Sequence, residues 1–229
     1  MSLSSMERLL VLHFAQYVSD HKKEFIQKVL DQRTRHVTVA LEDIYQSQNI
    51  SAVVRTCECM GLQDIHIIEN INAYQVNARV LKGSNRWMNL VRHRSKADNN
   101  TELCFHHLRK QGYTIYAADP SEEEVSIHDV DPDKGKVAII FGNELRGVSE
   151  YALEHCDKKV RIPMYGFTES LNISVSVAIC LNALVTKLHQ DSWTYGLSDE
   201  EKAELTLQWY RKVVRKSDVI EREFLRTIQ

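Results

Sequence analysis

The sequence is poor in residues that break or staple a chain. Only 8 of its 229 residues are Gly and 3 are Pro, too few for long flexible linkers. Five cysteines (Cys57, Cys59, Cys104, Cys156 and Cys180) make an odd number. No pair shows C-x-x-C spacing, which speaks against a disulfide framework and a zinc site, and for reduced thiols. Neither sign of charge dominates: 29 Lys+Arg against 31 Asp+Glu give a formal net charge of −2. A uniformly basic nucleic-acid binder is thereby excluded, but a local basic patch is not. The opening MSLSSMERLL has neither the basic start nor the apolar core of a signal peptide. No apolar run approaches the roughly 18 residues of a membrane span. The best candidate, Ile173 to Val185, is broken by Ser174, Ser176 and Asn182. A cytoplasmic protein without membrane association is expected.

Several chemistries are also missing. No G-x-G-x-x-G follows a predicted strand and no G-x-x-x-x-G-K-[ST] occurs, which argues against a dinucleotide site, a P-loop and the ordinary glycine-rich methyltransferase turn. G-x-S-x-G and H-E-x-x-H are absent. The 10 histidines are scattered, and His106 and His107, being adjacent, do not point the same way on a helix. No metal is expected.

What remains is an ordinary globular composition, 43% hydrophobic and 26% charged. Ser4 and Glu7 form a capping-box pattern ahead of a helix, and a second helix fits 20–32. Val37 to Leu41 is a short β-branched run, as a buried strand should be. Helix is predicted for 49–60, 99–111, 171–189 and 198–228 (the last with a break near Ser217), and strand for 65–68, 113–118 and 136–141. Strands alternating with helices imply a parallel α/β sheet. The predicted organisation is an α/β domain over 36–190, with helical extensions over 1–35 and 191–229.

Charge is segregated along the chain. Arg79, Lys82, Arg86, Arg92, Arg94 and Lys96 fall in one stretch without an acid, whereas Asp119, Glu122, Glu123, Glu124, Asp129, Asp131 and Asp133 follow one another without a base. Such segregation can present a positive face to phosphates or simply solvate surface helices.

Three segments carry the chemical signal. Gln48 to Thr56 starts a helix after a strand and holds Asn49 and Arg55; alone it reads equally as a helix cap and an exposed arginine. Phe141-Gly142-Asn143-Glu144-Leu145-Arg146-Gly147 ends a strand with two glycines, where backbone can approach a ligand. Ile162 to Ser176 runs from a strand end through Pro163 and Gly166 into a long apolar helix, with Ser170 and Asn172 at the junction.

Together and in this order, these segments resemble the three motifs of the SpoU group of RNA ribose 2′-O-methyltransferases in the SPOUT superfamily. The likeness is greatest to the TrmH type, the tRNA (guanosine-2′-O-)-methyltransferases. Ser51 to Thr56, Lys82-Gly83-Ser84-Asn85-Arg86-Trp87 and Ser170 to Val175 all fit that type. The resemblance covers about 36–190. The type often has His before the motif Asn, where this chain has Gln48.

The resemblance implies a mostly parallel α/β sheet with helices on both faces and a C-terminal trefoil knot. It also implies a homodimer whose site is completed across the interface, S-adenosylmethionine as cofactor, and RNA as substrate. By match, Arg55 is the catalytic arginine, with Asn49, Glu144, Ser170 and Asn172 as the other catalytic polar residues. Asn49 and Glu144 are expected to orient Arg55 and the ribose. Cofactor contacts fall to Ala118, Gly142, Asn143, Gly147, Ile162, Met164 and Leu171. RNA contacts fall to Arg33, Arg35, Lys82, Arg86, Arg92 and Arg94. Trp87 is either a core residue on a strand or a base-stacking platform. A tRNA guanosine is the expected target; ribosomal RNA enzymes often carry an N-terminal RNA-binding domain, for which about 35 residues are too few. A ribosomal RNA methyltransferase, a non-catalytic RNA-binding protein and an α/β domain for another small molecule are the alternatives.

Overall fold

The computed structural model describes residues 3–75, 77–96, 98–121, 124–190 and 194–228. Glu122 and Glu123 of the acidic stretch lie outside the described residues. The chain divides into two compact units, Thr34–Tyr195 and a second made of Met1–Arg33 with Gly196–Gln229.

In chain order the first elements are α1 (Ser5–Ala15), α2 (Asp20–Leu30), β1 (Val37–Glu42), α3 (Ser47–Cys59), β2 (Asp64–Ile68), α4 (Ala78–Leu81) and β3 (Asn89–His93). There follow α5 (Asn100–Lys110), β4 (Tyr113–Ala118), β5 (Val125–Ser126), β6 (Lys136–Phe141), α6 (Glu150–His155) and β7 (Lys158–Arg161). The last three are α7 (Ile173–Gln190), α8 (Asp199–Val213) and α9 (Ser217–Thr227).

The larger unit is built on a seven-stranded sheet of order β3-β2-β1-β6-β4-β7-β5, and every described pairing is parallel. Parallel strands need crossovers that cover both faces. On one face α3 and α7 pack over Val37, Val39, Leu41, Ile65, Ile67 and Ile139. On the other, α5 and α6 cover Ala40, Ile68, Ile115, Ala138 and Ile140. Strand β1 is buried along its whole length. Its one acid, Glu42, accepts hydrogen bonds from Thr101 Oγ1, Ser149 N and Ser149 Oγ at 2.5–2.8 Å, as a buried carboxylate must.

Strands β3, β5 and β7 are the ones sequence periodicity does not disclose. Asn89-Leu-Val-Arg-His93 is an edge strand with one short apolar pair, and Lys158-Lys-Val-Arg161 is mostly charged; both pair by backbone rather than by an apolar face. Trp87 is half-buried in the turn before β3, not on a strand.

Helix α7 corrects the reading of the apolar run. It has 18 residues and is long and apolar enough, by length and composition, to cross a membrane. In this fold it is a core helix, with Val177, Cys180, Leu181, Leu184, Val185 and Leu188 buried against the sheet face. Ser174, Ser176 and Asn182 do not break it, because a helix buried on one side tolerates small polar residues on the other.

The smaller unit joins α1, α2, α8 and α9. The Ser4–Glu7 box caps α1 and an equivalent Ser198–Glu201 box caps α8. Leu10, Phe14, Ile26, Leu30, Leu205, Trp209 and Tyr210 are buried there. His13 stacks on Phe224 at 4.2 Å between ring centroids, and Arg211 forms a two-pronged pair with Glu221 at 2.8 and 2.6 Å.

Candidate active site

Adjacent parallel strands β6, β4 and β7 end on the same side of the sheet, where ligands meet loop backbone rather than strand. The loops after them enclose a cleft of about 590 Å³. Ala118, Gly142, Asn143, Gly147, Ile162, Met164 and Leu171 all line it, as do Asn49, Glu144, Ser170 and Asn172.

Close backbone packing and paired hydrogen bonds fix the turn after β6. At Gly142 any Cβ would lie 2.1 Å from the backbone of Gly147, so only glycine fits. The backbones of Asn143 and Gly147 exchange hydrogen bonds at 2.9 and 2.8 Å, and Gly147 takes φ +69°. Asn143 Oδ1 accepts from the backbone N–H of Leu145 and Arg146, while its Nδ2 donates to the carbonyl of Asp43 at 2.8 Å. Asp43 itself, at φ 51°, is held by its Oδ1, which accepts from the N–H groups of Asn70, Ile71 and Asn72. Sequence reading gave Asp43 no role; an acid directly after a buried strand was the available signal.

Glu144 is tied to the first motif. Its carboxylate accepts from Tyr45 N at 3.1 Å, Gln46 N at 3.3 Å and Asn49 Nδ2 at 2.8 Å. Burial works against its charge, but the Asn49 side chain and the backbone donors outweigh burial and hold the carboxyl below the ordinary carboxylate value. It is therefore an anion at neutral pH. Asn49 lies inside the first turn of α3 rather than at its cap, a position taken by Gln46. Its Oδ1 accepts from Asn172 Nδ2 at 3.1 Å. Asn172 in turn starts α7, its Oδ1 accepting from Ser174 N and Ser174 Oγ at 2.9 and 2.7 Å. One chain of side chains thus joins all three motifs. Ser170 is exposed at the cleft rim.

Arg55 stands apart. It is exposed on α3, is not among the cleft's lining residues, and has no hydrogen bond or ion pair among the described residues. Asn49 and Glu144 of the same chain do not orient it, because six residues along a helix carry it to another face. The cleft's described lining contains Asp119, Glu144 and Glu169 but no Lys, Arg or His. A cavity with this balance favours a cationic ligand and disfavours a phosphate. The sequence shows Asp119 only as the start of an acidic run and gives Glu169 no role; the available signal is acid in motif loops without basic neighbours.

The expected RNA contacts divide. Lys82, Arg86 and Arg94 are exposed, with the Arg86 guanidinium 5.6 Å from the Trp87 ring centroid. Arg92 grips Glu69 with two hydrogen bonds at 2.8 and 2.7 Å, and Arg35 pairs with Asp64 at 2.8 Å. Arg33 is a correction. It is 1% exposed, its guanidinium 5.7 Å from the Trp209 ring centroid, and is a packing residue that no RNA phosphate can reach.

A parallel α/β sheet with three strand-end loops around one cleft is the SPOUT-type methyltransferase architecture. The SpoU rRNA Methylase family matches residues 36–182. The tRNA (guanosine(18)-2′-O)-methyltransferase of Borreliella burgdorferi is 41% identical over 207 residues, 90% of this chain and 92% of that protein. The Aquifex aeolicus TrmH/SpoU tRNA modifying enzyme superposes with a TM-score of 0.75 at 28% identity, over 86% of this chain and 98% of that one. AviRb of Streptomyces viridochromogenes, a SpoU methyltransferase solved with AdoMet, shares the fold at a TM-score of 0.58 and 20% identity, over 72% and 65% of the chains. The chain belongs to the SpoU rRNA Methylase family.

Proposed function

We propose that the protein methylates the ribose 2′-hydroxyl of a guanosine in tRNA, with S-adenosylmethionine as donor and guanosine 18 as target. The observation that carries this reading is the cleft: about 590 Å³, apolar at Phe141, Val160, Ile162 and Leu171, with Asp119, Glu144 and Glu169 as its only described charges. A nucleoside bearing a sulfonium and an ammonium group fits this charge and size. The position is that in the names of the B. burgdorferi protein and its Thermus thermophilus counterpart.

When bound, the donor supplies an already reactive methyl group. The chain's own residues align and shield. The Gly142–Gly147 turn and the Ile162–Asn172 loop hold the donor by backbone. Asn49, Glu144 and Asn172 fix the cleft wall against which the ribose is set, so that oxygen, methyl and sulfur lie in line. Ser170 at the rim meets the ribose. The 2′-hydroxyl loses a proton as its oxygen takes the methyl. A guanidinium with a pKa above about 12 is a poor base at neutral pH. Arg55 therefore stays charged, binds the adjacent phosphate and stabilises the developing alkoxide, while water takes the proton. As the oxygen–carbon bond forms the carbon–sulfur bond breaks, and the sulfonium would leave as a neutral thioether that needs no metal to activate it.

A cleft without a cation among its described lining residues takes one from outside. The active form is a homodimer in which Arg55 of one subunit serves the cleft of the other. Val175, Ala178, Ile179, Asn182, Ala183 and Thr186, one stripe along α7, line a second groove of about 680 Å³, which supports α7 as the dimer contact. Residues 36–190 form the methyltransferase domain, carrying the family's trefoil knot among the cleft loops. The helical segments 1–35 and 191–229, with Lys82, Arg86 and Arg94, hold the RNA backbone in the cytoplasm.

Purified protein, methyl-labelled S-adenosylmethionine and unmodified tRNA or ribosomal RNA test the proposal, with Arg55→Ala as control. A labelled 2′-O-methylguanosine at position 18 of tRNA, lost in the variant, is expected. Label confined to ribosomal RNA overturns the substrate, and no cofactor binding overturns the reaction.

A further inference from the structure

Three elements that do not line the cleft bring metal-ligating side chains to one place. His66 on β2 is in register with Val91 of β3, and His93 follows Val91 by two residues, so both imidazoles leave the sheet on the same face. Helix α5 covers that face and sets Cys104 and, one turn later, His107 against them. One donor atom from each of His66, His93 and Cys104 lies within 4.8 Å of the other two, and all three residues are buried. The ring of His107 stands 5.4 Å from that of His66 and 5.7 Å from that of His93.

We propose that His66, His93 and Cys104, with His107 as fourth ligand, bind a borderline-soft divalent cation of the Zn²⁺ type, tying edge strand β3 and helix α5 to β2. His66 Nδ1 and His93 Nε2 are 3.1 Å apart, and nitrogens about 2.0–2.1 Å from a tetrahedral zinc stand about 3.3 Å from each other. The cation takes the place of the proton between these two nitrogens, and that proton moves to the other nitrogen of the ring that carries it. Two imidazoles and a thiolate suit zinc rather than magnesium or calcium, which prefer oxygen. On binding, a metal–sulfur bond forms and the Cys104 thiol proton passes to water, so the ion enters without any redox step. The half-buried His107 ring marks the route in. Sequence spacing hides this site because its ligands come from two strands and a helix. None of the four residues lines the cleft, so the inference stands apart from methyl transfer.

The test uses the full chain, stripped with chelator and titrated with Zn²⁺ and with Co²⁺ as a spectroscopic probe. One ion per chain is expected, with a thiolate-to-cobalt charge-transfer band and a raised melting temperature. Cys104→Ala abolishes the band, and His93→Gln lowers affinity at least about tenfold, since even groups that only orient a metal's ligands are worth about 10- to 100-fold. Circular dichroism melts of the stripped variants report folding; if Cys104→Ala does not fold, His93→Gln decides. A wild-type chain without the band, or unchanged affinity in either folded variant, overturns the proposal.

Discussion

Asn49 and Asn172, 123 residues apart, meet side chain to side chain: Asn172 Nδ2 donates to Asn49 Oδ1 at 3.1 Å. With its own Nδ2 on Glu144 at 2.8 Å, Asn49 is the middle member of a relay joining the first, second and third motif loops. Neither amide is replaceable by a carboxylate, because one must donate to Glu144 and the other to Asn49.

Asn49→Ala removes both links but leaves Glu144 its two backbone donors from Tyr45 and Gln46. The stability cost is about 1–2 kcal/mol, as for a lost pair of partly exposed hydrogen bonds. Turnover falls further, by about 10- to 100-fold, because misplacement of the cleft wall acts on the aligned transition state. Asn49→Asp is worse than Asn49→Ala, since it sets a carboxylate against Glu144. Thermal melts and single-turnover methylation separate the two effects.

Gly142→Ala tests the turn after β6. Its Cβ would lie 2.1 Å from backbone carbon and oxygen of Gly147, and backbone cannot swing aside as a side chain can. The expected loss is about 1–3 kcal/mol, as for overpacking elsewhere. S-adenosylmethionine affinity falls more steeply than stability, which equilibrium binding at a temperature well below the melt will show.

Much of this was legible in the sequence, and the limits have physical causes. The buried run at Val37–Glu42 and the capped helices announce themselves because period and caps are local. The residue types of the cleft were legible too. Their joinery was not: the Asn49–Glu144 and Asn49–Asn172 contacts span 95 and 123 residues, and only the order of strands brings them together. Charge misled at Arg33, since a cation beside an aromatic can be buried as well as solvated. Nor does nearness in sequence bring Arg55 beside Asn49: six residues along α3 carry it to another face.

Arg55→Lys and Arg55→Ala both leave the melting temperature of the chain unchanged, because Arg55 is exposed and has no hydrogen bond or ion pair among the described residues. Turnover is lost in both, more fully in Ala, because a lysine keeps the charge but not the two-pronged grip on phosphate. In the proposed homodimer, mixing Arg55→Ala with Gly142→Ala subunits restores about a quarter of wild-type activity: half the dimers are mixed, and one of two clefts in each is whole. No recovery on mixing places Arg55 in its own subunit's reaction.

The basic residues proposed to meet RNA separate by salt dependence. Arg94→Ala, at an exposed cation, reduces the slope of log affinity against log salt by about one. Arg33→Met leaves that slope unchanged and instead alters stability, because the side chain is packed against Trp209. Filter binding of unmodified tRNA over a salt series distinguishes them.

The histidine cluster sets an acid limit on stability in the presence of chelator. Burial first, then the neighbouring rings, pushes His66 down to about 3 and His93 down to about 4, from an ordinary 6.5. The folded chain thus keeps both rings neutral while the unfolded chain takes up protons below about pH 6.5. Stability from these rings is complete above that pH and drains as pH falls through the window between 6.5 and the folded values. Between pH 7 and 5 the loss is on the order of 2–4 kcal/mol, well above the range in which the lowered carboxylates, Glu69 and Glu144 among them, begin to protonate. His66→Gln flattens this limb of the pH–stability curve without moving the carboxylate limb below it. Denaturant melts of both chains at half-unit pH steps give the comparison, and parallel curves between pH 7 and 5 would show that the cluster is not the origin of the acid limit.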